Sequence, residues 1–346
     1  MPVKPLLPLM ALCLGLGLAA NAVAEPIRVI SDRTPAHLTG LFEHYEKTRG
    51  VDIEAVFVDK GLLARLQSRP TEADLVVTKT ADLLEEAKAA GLLRPFASET
   101  IGSGIRPELR DPDDTWVTLS YRPRAIFVSK SRVKPGEIST YQDLADPKWQ
   151  GRVCIRSGYH DYNLSLFSQM AADKGLEETR AFIAGLHRNL AHAPNGNDRA
   201  QARGLHEGVC DLAVVNSYYM PIMMSTEEQR PWGESATVIF PDQGQGGAYI
   251  MRGGAALTTA DDRVAEATRL LEFLVSDEAQ EFIVNTTFEY PVRDSVALPE
   301  AVRALGEGQP GVSEGRFEAR FVPLADVVKQ RDAVVGILDE INFDGR

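Results

Sequence analysis

Cysteine and histidine are scarce in this chain, which has three cysteines and six histidines among 346 residues. No CxxC pair is present and no cysteine clusters with histidine, so a zinc site with thiolate ligands has no support. The sequence also lacks the HExxH and Walker A motifs, and no pair of carboxylates stands in a suggestive place. These absences favour a binding protein over an enzyme.

Basic residues are in the minority. The chain has 37 Lys and Arg against 49 Asp and Glu, a formal net charge of −12 at pH 7, and no basic stripe. An acidic protein repels phosphate backbones, so nucleic acid is not an expected partner. The negative charge gives a mild attraction for cations, although net charge alone does not define a site.

A short apolar stretch, Leu6 to Leu18, follows Lys4 near the N-terminus and is itself followed by Ala22-Val23-Ala24. This pattern is typical of a signal peptide and predicts cleavage after Ala24. The stretch is too short to predict a membrane anchor. We therefore expect residues 1–24 to be removed and the mature chain to be exported without stable membrane insertion.

Export would place the two remaining cysteines, Cys154 and Cys210, in an oxidising compartment. Two lone cysteines in such a compartment more often pair than stay free. We therefore expect a disulfide between them, which would stabilise the fold by roughly 4 kcal/mol in the chain-entropy model.

Strand and helix patterns alternate in the first part of the mature chain. Apolar runs predict strands in PIRVISD, VDIEAVFV and ADLVVT, and apolar stripes predict helices in PAHLTGLFEHYEKTRG, GLLARLQS and DLLEEAKAAGLL. This order is typical of an α/β fold with a parallel sheet and crossover helices. WVTLSYRPRAIFVSK then predicts a long extended segment that crosses to a second α/β series.

The length of the chain suits two lobes. Removing 24 residues from 346 leaves 322, which is too many for a single compact core. Two α/β lobes joined by more than one crossing predict a central ligand cleft and a hinge. We assign residues 25–121 and about 248–295 to the N-terminal lobe, and residues 122–247 and about 296–346 to the C-terminal lobe.

Two adjacent tyrosines, Tyr218 and Tyr219, follow a predicted buried strand. Neighbours in a strand point to opposite faces, so they could not share a ligand there. However, the strand is expected to end at Asn216, and Ser217 is a good helix cap, so both hydroxyls can lean into a cleft. Tyr162 lies between another predicted strand and a helix, where ligands bind in open α/β sheets.

A phenol has a pKa of about 10 and is neutral at pH 7, but a strongly acidic cation can displace its proton. Oxygen donors without thiolates and with few imidazoles favour a hard cation. Three phenolates would neutralise the charge of Fe³⁺ and would hold iron in the ferric state, because Fe²⁺ gains less from them. The tyrosines therefore indicate a ferric ion site.

Six segments spread over the mature chain carry a resemblance to a known family: FVDKGLLARL, STYQDLADPKWQGRVCIRSG, YNLSLF, GNDRAQ, NSYYM and FEYPV. They resemble the periplasmic ferric-ion-binding proteins of bacterial iron(III) ABC transporters, and NSYYM and YNLSLF are the most diagnostic. The resemblance implies a two-lobed periplasmic-binding-protein fold. It also implies that a monomer captures Fe³⁺ in the periplasm and delivers it to an inner-membrane ABC permease.

Carried over residue by residue, the resemblance implies that Tyr162, Tyr218 and Tyr219 bind the metal. It implies that Arg122, the first arginine of YRPR, holds a synergistic anion, usually carbonate. An anion that completes the coordination of iron needs a cationic donor behind it, and arginine offers two parallel donors.

The sequence departs from the family pattern around these residues. Arg33 fits a branch that lacks a metal ligand from the first lobe, and Asp32 stands where that branch often has tyrosine. Asp32 is therefore a candidate for contact with the metal or a bound water. Lys79 stands where other members have an acidic ligand, and it could help to hold an anion. Arg252 is expected to add a cationic group near the cleft, and Tyr159 is expected at the rim.

Other polar residues have simpler interpretations. Arg124 is expected to form a salt bridge with a nearby acid, and Asp198 is expected to cap a helix. His160 is expected at the rim of the cleft, and His37 is interpreted as a solvated or capping residue.

An alternative function stays open at this point: an exported receptor for a small organic or phosphorus-containing anion. Arg122, Lys79 and Arg252 would then bind the anion, and the tyrosines would donate hydrogen bonds to it. A phenolate-to-iron absorption band after addition of ferric salt separates the two functions.

Overall fold

Residues 25–345 are described by the structure, which is a computed structural model. The expected signal peptide, residues 1–24, lies outside the described residues. The strands are β1 (Ile27–Ser31), β2 (Ile53–Phe57), β3 (Leu75–Thr78), β4 (Leu93–Arg94), β5 (Val117–Ser129), β6 (Val153–Cys154), β7 (Leu212–Asn216), β8 (Ala236–Ile239), β9 (Ala248–Thr258), β10 (Tyr290–Pro291) and β11 (Ala319–Arg320).

The α-helices range from short single turns to an 18-residue helix near the C-terminus. They are α1 (Thr39–Arg49), α2 (Leu62–Ser68), α3 (Asp82–Ala89), α4 (Glu99–Gly104), α5 (Asp161–Lys174), α6 (Leu176–Asn189), α7 (Asp198–His206), α8 (Tyr219–Ser225), α9 (Arg230–Glu234), α10 (Val264–Leu274), α11 (Asp277–Thr287), α12 (Glu300–Arg303) and α13 (Leu324–Ile341). Within residues 25–345, none of these helices combines the length and hydropathy that crossing a membrane requires.

The first part of the sheet is a parallel series with crossover helices. β1 pairs in parallel with β2 and with β3, and the helices α1 and α2 connect these strands. β3 then pairs antiparallel with β9, which pairs with β5. Apolar residues favour these strands because the sheet buries them, and all of LVVT in β3 is buried. The predicted alternation of strands and helices is confirmed.

The long strand β5 belongs to both parts of the sheet. Its residues from Val117 to Pro123 pair with β9, and its residues from Arg124 to Val128 pair with β7. β8 also pairs with the second half of β5, and β6 pairs in parallel with β7. The extended crossing predicted in WVTLSYRPRAIFVSK is therefore confirmed, and its central side chains lie where the two parts of the sheet meet.

Apolar side chains form separate cores on the two parts of the sheet. One core contains Val29, Leu75 and Leu270, and another contains Phe167 and Leu212. The C-terminal helix α13 packs against α5 and α6 on the second part and against α3 on the first. Burial of these apolar surfaces is the main favourable contribution to the stability of each part.

Cys154 and Cys210 form a disulfide, with their Cα atoms 5.8 Å apart. Cys154 ends β6, and Cys210 lies just before the start of β7, so the bond joins two neighbouring parallel strands. The strand β7 leads directly to the tyrosine pair. The disulfide therefore anchors the segment that carries Tyr218 into the cavity described below.

Candidate functional site

A cavity of about 350 Å³ lies beside the centre of β5, at the carboxyl ends of β1, β3 and β7. Side chains from both parts of the molecule line it: Asp32, Arg33, Thr34, His37, Lys79, Arg122, Tyr162, Arg199, Tyr218, Tyr219, Ile222 and Glu289. The structure thus brings together the three tyrosines and the arginine that the sequence indicates. This cavity is the candidate ligand site.

The adjacent tyrosines reach the same cavity because the chain leaves the sheet just before them. β7 ends at Asn216, and α8 begins at Tyr219 with Tyr218 as its N-cap residue. The two rings lie side by side, with centroids 4.3 Å apart and an interplanar angle of 37°. The expectation that Ser217 caps this helix is wrong, because the N-cap position falls on Tyr218 and has no side-chain cap bond.

Tyr162 enters the cavity from the first turn of α5. Its backbone amide donates to Nδ1 of His160, the N-cap residue, at 3.2 Å, which fixes the start of the helix. The hydroxyl oxygens of Tyr162 and Tyr218 are 3.4 Å apart. Two strand–helix junctions that are distant in sequence therefore direct three phenol groups into one cavity.

The hydroxyl groups of the tyrosine pair are weak acids in this structure. Burial raises the pKa of Tyr218 well above its usual value, and the neighbouring Tyr162 and Tyr219 raise it further. Burial, with Tyr162 and Asp198, raises the pKa of Tyr219 to about 12. Both groups are therefore protonated at neutral pH, and a cation must displace their protons in order to bind.

Three guanidinium groups surround the ring of Tyr162. The Cζ atoms of Arg122, Arg124 and Arg156 lie 5.6, 5.7 and 5.2 Å from its centroid. Positive charge at these distances stabilises negative charge on a phenolate oxygen more than it stabilises a neutral phenol. The ring of Tyr162 thus lies among three positive charges at the edge of the cavity.

Arg124 holds the two tyrosine-bearing junctions together. Its guanidinium donates to the Asp198 carboxylate and to the side-chain oxygen of Asn163, each at 2.6 Å, and to that of Asn216 at 3.0 Å. The expected salt bridge of Arg124 is confirmed. The expectation that Asp198 caps a helix is wrong, because Asn197 is the N-cap of α7 and Asp198 is buried against Arg124.

Arg122 lines the cavity with part of its hydrogen-bonding capacity unused. The residue is only 1% exposed, and its Nε and Nη1 atoms have no hydrogen-bond partner among the described residues. Nη1 lies 3.7 Å from Oε1 of Glu289, which is an ion pair but too long for a hydrogen bond. A buried cation with free donors is suited to binding an anion.

Glu289 is the principal polar residue that the sequence interpretation missed. Its Oε2 accepts hydrogen bonds from Arg33 Nη2 at 2.9 Å and from the Ser120 hydroxyl. Burial alone would raise the pKa of Glu289, but Arg33 and Arg122 outweigh this effect and lower the pKa to about 2. The residue lies within the FEYPV segment, but no local pattern reveals that Arg33, 256 positions away, is its partner.

Asp32 and Lys79 lie together on the side of the cavity that the first part of the sheet forms. Oδ1 of Asp32 accepts from the backbone amide of Lys79 at 2.8 Å, and its Oδ2 is 3.9 Å from Lys79 Nζ. Both residues also line an adjoining cavity of about 420 Å³. Asp32 is thus partly engaged by its neighbour, and Lys79 brings a positive charge to the junction of the two cavities.

One other expectation needs correction, namely that for Arg252, whereas the expected rim position of Tyr159 stays a prediction. Arg252 does not line the tyrosine cavity, because its guanidinium turns to the carbonyl oxygens of Glu108, at 3.1 Å, and Val322. Tyr159 lines the adjoining cavity, which shares Asp32 and Lys79 with the tyrosine cavity, and it is 38% exposed and donates its hydroxyl to Asp339 Oδ1 at 2.6 Å. Neither side chain contributes to the group around Tyr218.

Sequence patterns also missed two cavity residues. His37 is half-buried and lines the cavity, and burial together with Arg33 lowers its pKa, so it is not a simple solvated residue. Arg199 in the first turn of α7 also lines the cavity, with its Cζ 6.0 Å from the ring centroid of Tyr219. A lone histidine and an arginine on a helix carry no local signal that places them beside the tyrosines.

The donor chemistry of the cavity is that of tyrosine oxygen. Within the part of the chain that the structure describes, no group of three His, Cys, Asp or Glu side chains could hold a metal ion. A formal GxSxG match, GVSEG at residues 311–315, lies in a turn closed by Ser313 and Arg316 and not between a strand and a helix. The described geometry thus offers phenol groups for a cation and no nucleophile elbow.

Residues 71–310 match the family described as bacterial extracellular solute-binding protein. The chain belongs to this family. Iron uptake protein A2 of Synechocystis sp. is 34% identical over 310 residues, which cover 86% of this chain and 88% of that protein. The present chain is thus similar, over most of its length, to a protein named for iron uptake.

Solved structures agree with the sequence comparison. Mannheimia haemolytica ferric iron-binding protein A, in an open conformation, superposes with a TM-score of 0.85 at 33% identity and covers 93% of this chain and 100% of that chain. A Trichodesmium protein in complex with iron and citrate ligands gives a TM-score of 0.84 at 29% identity, covering 92% and 100%. The resemblance to ferric-ion-binding proteins and the two-lobed α/β fold with a central cleft are confirmed.

Proposed function

We propose that this protein captures Fe³⁺ in the periplasm through the phenolate oxygens of Tyr162, Tyr218 and Tyr219, together with an anion held by Arg122. The observation that carries the proposal is the convergence of three phenol groups on one cavity that a buried arginine also lines. The iron-related names of the relatives support the choice of cation.

The donor set suits a trivalent hard cation. Three phenolates would supply three negative charges, which match the charge of Fe³⁺ and exceed that of Fe²⁺. The guanidinium groups near the ring of Tyr162 would offset part of the negative charge of a metal-bound phenolate. The raised pKa values of Tyr218 and Tyr219 disfavour weakly acidic cations, because only a strong Lewis acid displaces such tightly held protons.

The anion fills coordination positions of the metal that the three tyrosines leave open. Three tyrosines fill only part of an octahedral coordination sphere, so further oxygen donors are needed. Arg122 is buried beside the tyrosines and has donors to spare, so an anion that bridges Arg122 and the metal satisfies both. The iron and citrate bound to the Trichodesmium relative support a carboxylate-type anion, and we propose a carbonate-like one here.

In the proposed cycle, a monomer binds iron in the open cleft and then closes about the hinge. Asp32, Arg33 and Lys79 on the first lobe then face the tyrosines across the cavity, and the metal is shielded from hydrolysis. The closed form presents both lobes to an inner-membrane ABC permease, where opening and reprotonation of the phenolates release the ion.

A visible absorption titration tests the proposal. Purified protein is titrated with ferric citrate, with and without bicarbonate, and a phenolate-to-iron charge-transfer band is expected. Tyr218→Phe combined with Tyr219→Phe keeps the ring volume and removes two donor oxygens, so the band and the ferric affinity should be lost. Tyr45→Phe is the matched control, because Tyr45 is a buried residue of α1 and does not line the cavity.

The result also separates the rival anion receptor. Retention of ferric affinity in the double variant would show that the ligand assignment is wrong. Absence of a band in the wild-type protein, together with tight binding of citrate or phosphate alone, would favour a receptor for an organic or phosphorus-containing anion.

A further inference from the structure

Arg33 and Glu289 are two buried charges beside the cavity that the proposed iron coordination does not use. Arg33 lies two residues after the end of β1, and Glu289 lies immediately before β10. β10 pairs with β5 so that Tyr290 lies opposite Tyr121, the residue before Arg122. The sheet therefore places Glu289 next to Arg122, although Arg33 comes from a distant loop.

The carboxylate of Glu289 is hydrogen-bonded to Arg33 and not to Arg122. Oε2 of Glu289 accepts from Arg33 at 2.9 Å and from the Ser120 hydroxyl, and Arg33 Nη1 also donates to Ser120 at 3.3 Å. Oε1 of Glu289 stays 3.7 Å from Arg122 Nη1, beyond hydrogen-bond length. Glu289 is thus committed to Arg33, and Arg122 keeps unpartnered donors.

We propose that the Arg33–Glu289 pair determines which anion charge the cavity accepts, because Arg33 holds Glu289 away from the Arg122 donors. The proposal rests on the proposed function in one respect, namely that Arg122 holds the anion. Arg33 and Glu289 are positioning residues in this scheme, since they act through Arg122.

The charge count of the three residues gives the physical reason. Two guanidinium groups and one carboxylate leave a single net positive charge, which suits an anion of low charge such as bicarbonate. Without the Glu289 charge, two buried cations would face the cavity and favour a more highly charged anion. Without the Arg33 charge, Glu289 would turn to Arg122 and compete with any anion for its donors.

Removal of the Glu289 charge and removal of the Arg33 charge should therefore change the anion affinities in opposite directions. A general loss of stability would not produce this pattern. Isothermal titration calorimetry with iron-free protein measures the dissociation constants of bicarbonate and citrate. Glu289→Gln should strengthen the binding of both anions and should raise the preference for citrate over bicarbonate by about tenfold or more. Arg33→Gln should weaken both anions by about tenfold or more, and the combined variant should return toward the wild-type values.

Matched controls make the same charge changes outside the cavity. Glu272→Gln removes a carboxylate bonded to Ser98, and Arg94→Gln removes a guanidinium bonded to the carbonyl oxygens of Thr258 and Thr259. Neither control should change the anion constants. Glu289→Asp keeps the charge and should restore the wild-type preference, whereas a purely steric role would not show this rescue.

The outcomes distinguish this inference from the iron proposal. Shifts of opposite sign without a phenolate–iron band would support the anion role and overturn the ferric function. A phenolate–iron band with unchanged anion constants in both variants would overturn the inference and leave the ferric function standing. Failure of both anions to bind the iron-free wild-type protein would likewise overturn the inference.

Discussion

A tyrosine hydroxyl buried beside two others gives up its proton only to a strong competitor. The pKa of Tyr218 is raised well above its usual value and that of Tyr219 is raised to about 12, so both are neutral throughout the physiological range. In the proposed coordination, binding of a trivalent ion releases these protons, so we expect the affinity to fall as the pH falls. We therefore expect acid to promote release of the ion.

Removal of one phenol group should remove one released proton. For the wild-type protein, we expect the logarithm of the ferric association constant to fall by about one for each pH unit and each displaced proton. Tyr218→Phe should release one proton fewer than the wild-type protein. Calorimetric titration with ferric citrate in buffers of different ionisation enthalpy measures this number directly.

The proton count has a clear control. Citrate contributes equally to every variant, so the difference between Tyr218→Phe and the wild-type protein isolates the residue, and Tyr45→Phe should release the wild-type number. An unchanged count in Tyr218→Phe would mean that the Tyr218 hydroxyl stays protonated and does not bind the ion.

The sequence identifies residues of this cavity only where the signal is local. Tyr162, Tyr218 and Tyr219 are found because strand-to-helix transitions surround them, and the structure places all three at one cavity. Glu289 and Arg33 are missed as a pair because their contact depends on β10 joining the sheet beside β5. The expectation that Arg252 lies near the cleft is wrong because of its side-chain direction. Arg252 lies opposite Tyr121 on the neighbouring strand, but its side chain turns to the carbonyl oxygens of Glu108 and Val322.

At the scale of the elements, the strand β7 and the disulfide behind it set the position of the tyrosine pair. The disulfide joins residues 56 positions apart, and β7 leaves the sheet at Asn216. The carboxylate of Asp198 in α7 accepts from the backbone amide of Asn216 at 2.9 Å, which fixes the end of the strand. The disulfide and the hydrogen bond from Asn216 to Asp198 thus both help to fix the loop that carries Tyr218.

Loss of the disulfide should reduce stability more than it reduces iron binding. Cys154→Ser, Cys210→Ser and the double variant should each lower the free energy of unfolding by roughly 4 kcal/mol, because all three open the same loop. Urea denaturation followed by circular dichroism measures this change. Ferric affinity should change less, since β7 keeps its sheet partners β5 and β6.

An equal loss in the free energy of unfolding in the three cysteine variants is the internal control. A single variant that is far less stable than the double variant would show that a lone buried thiol, and not loop closure, dominates the effect. A loss below about 1 kcal/mol in all three would contradict a stabilising role for the bond.

Local periodicity predicts the elements but not all of their partners. The helices α1, α2 and α3 and the strands between them follow from apolar stripes and β-branched runs in the sequence. The pairing of β9 with both β3 and β5 does not follow, because antiparallel partners far apart in sequence leave no periodic signal. The length of β5 is the exception, since the segment WVTLSYRPRAIFVSK predicts one long extended stretch that crosses between the two parts.

At the scale of the whole molecule, one arginine connects the two parts of the structure near the cavity. Arg331 of α13 lies 3.6 Å from Glu86 of α3 and 3.5 Å from Asp161 of α5. Asp161 is the residue before Tyr162, and all three charged residues line the adjoining cavity. The ion pairs therefore join the first lobe to the helix that carries Tyr162.

Arg331→Gln should speed the release of bound iron without removing any group that contacts it. Partly exposed ion pairs contribute about 0.2–1 kcal/mol each, so loss of both should raise the release rate by roughly two- to thirtyfold. Stopped-flow transfer of iron to an excess of chelator measures this rate. Lys329→Gln is the control on the same helix, because among residues 25–345 Lys329 pairs only with Asp326 one turn away. Equal rates for Arg331→Gln and Lys329→Gln would contradict a role for the link between the lobes. A faster rate in Arg331→Gln alone, with an unchanged phenolate–iron band, would show that the relative position of the two lobes controls release independently of the ligands.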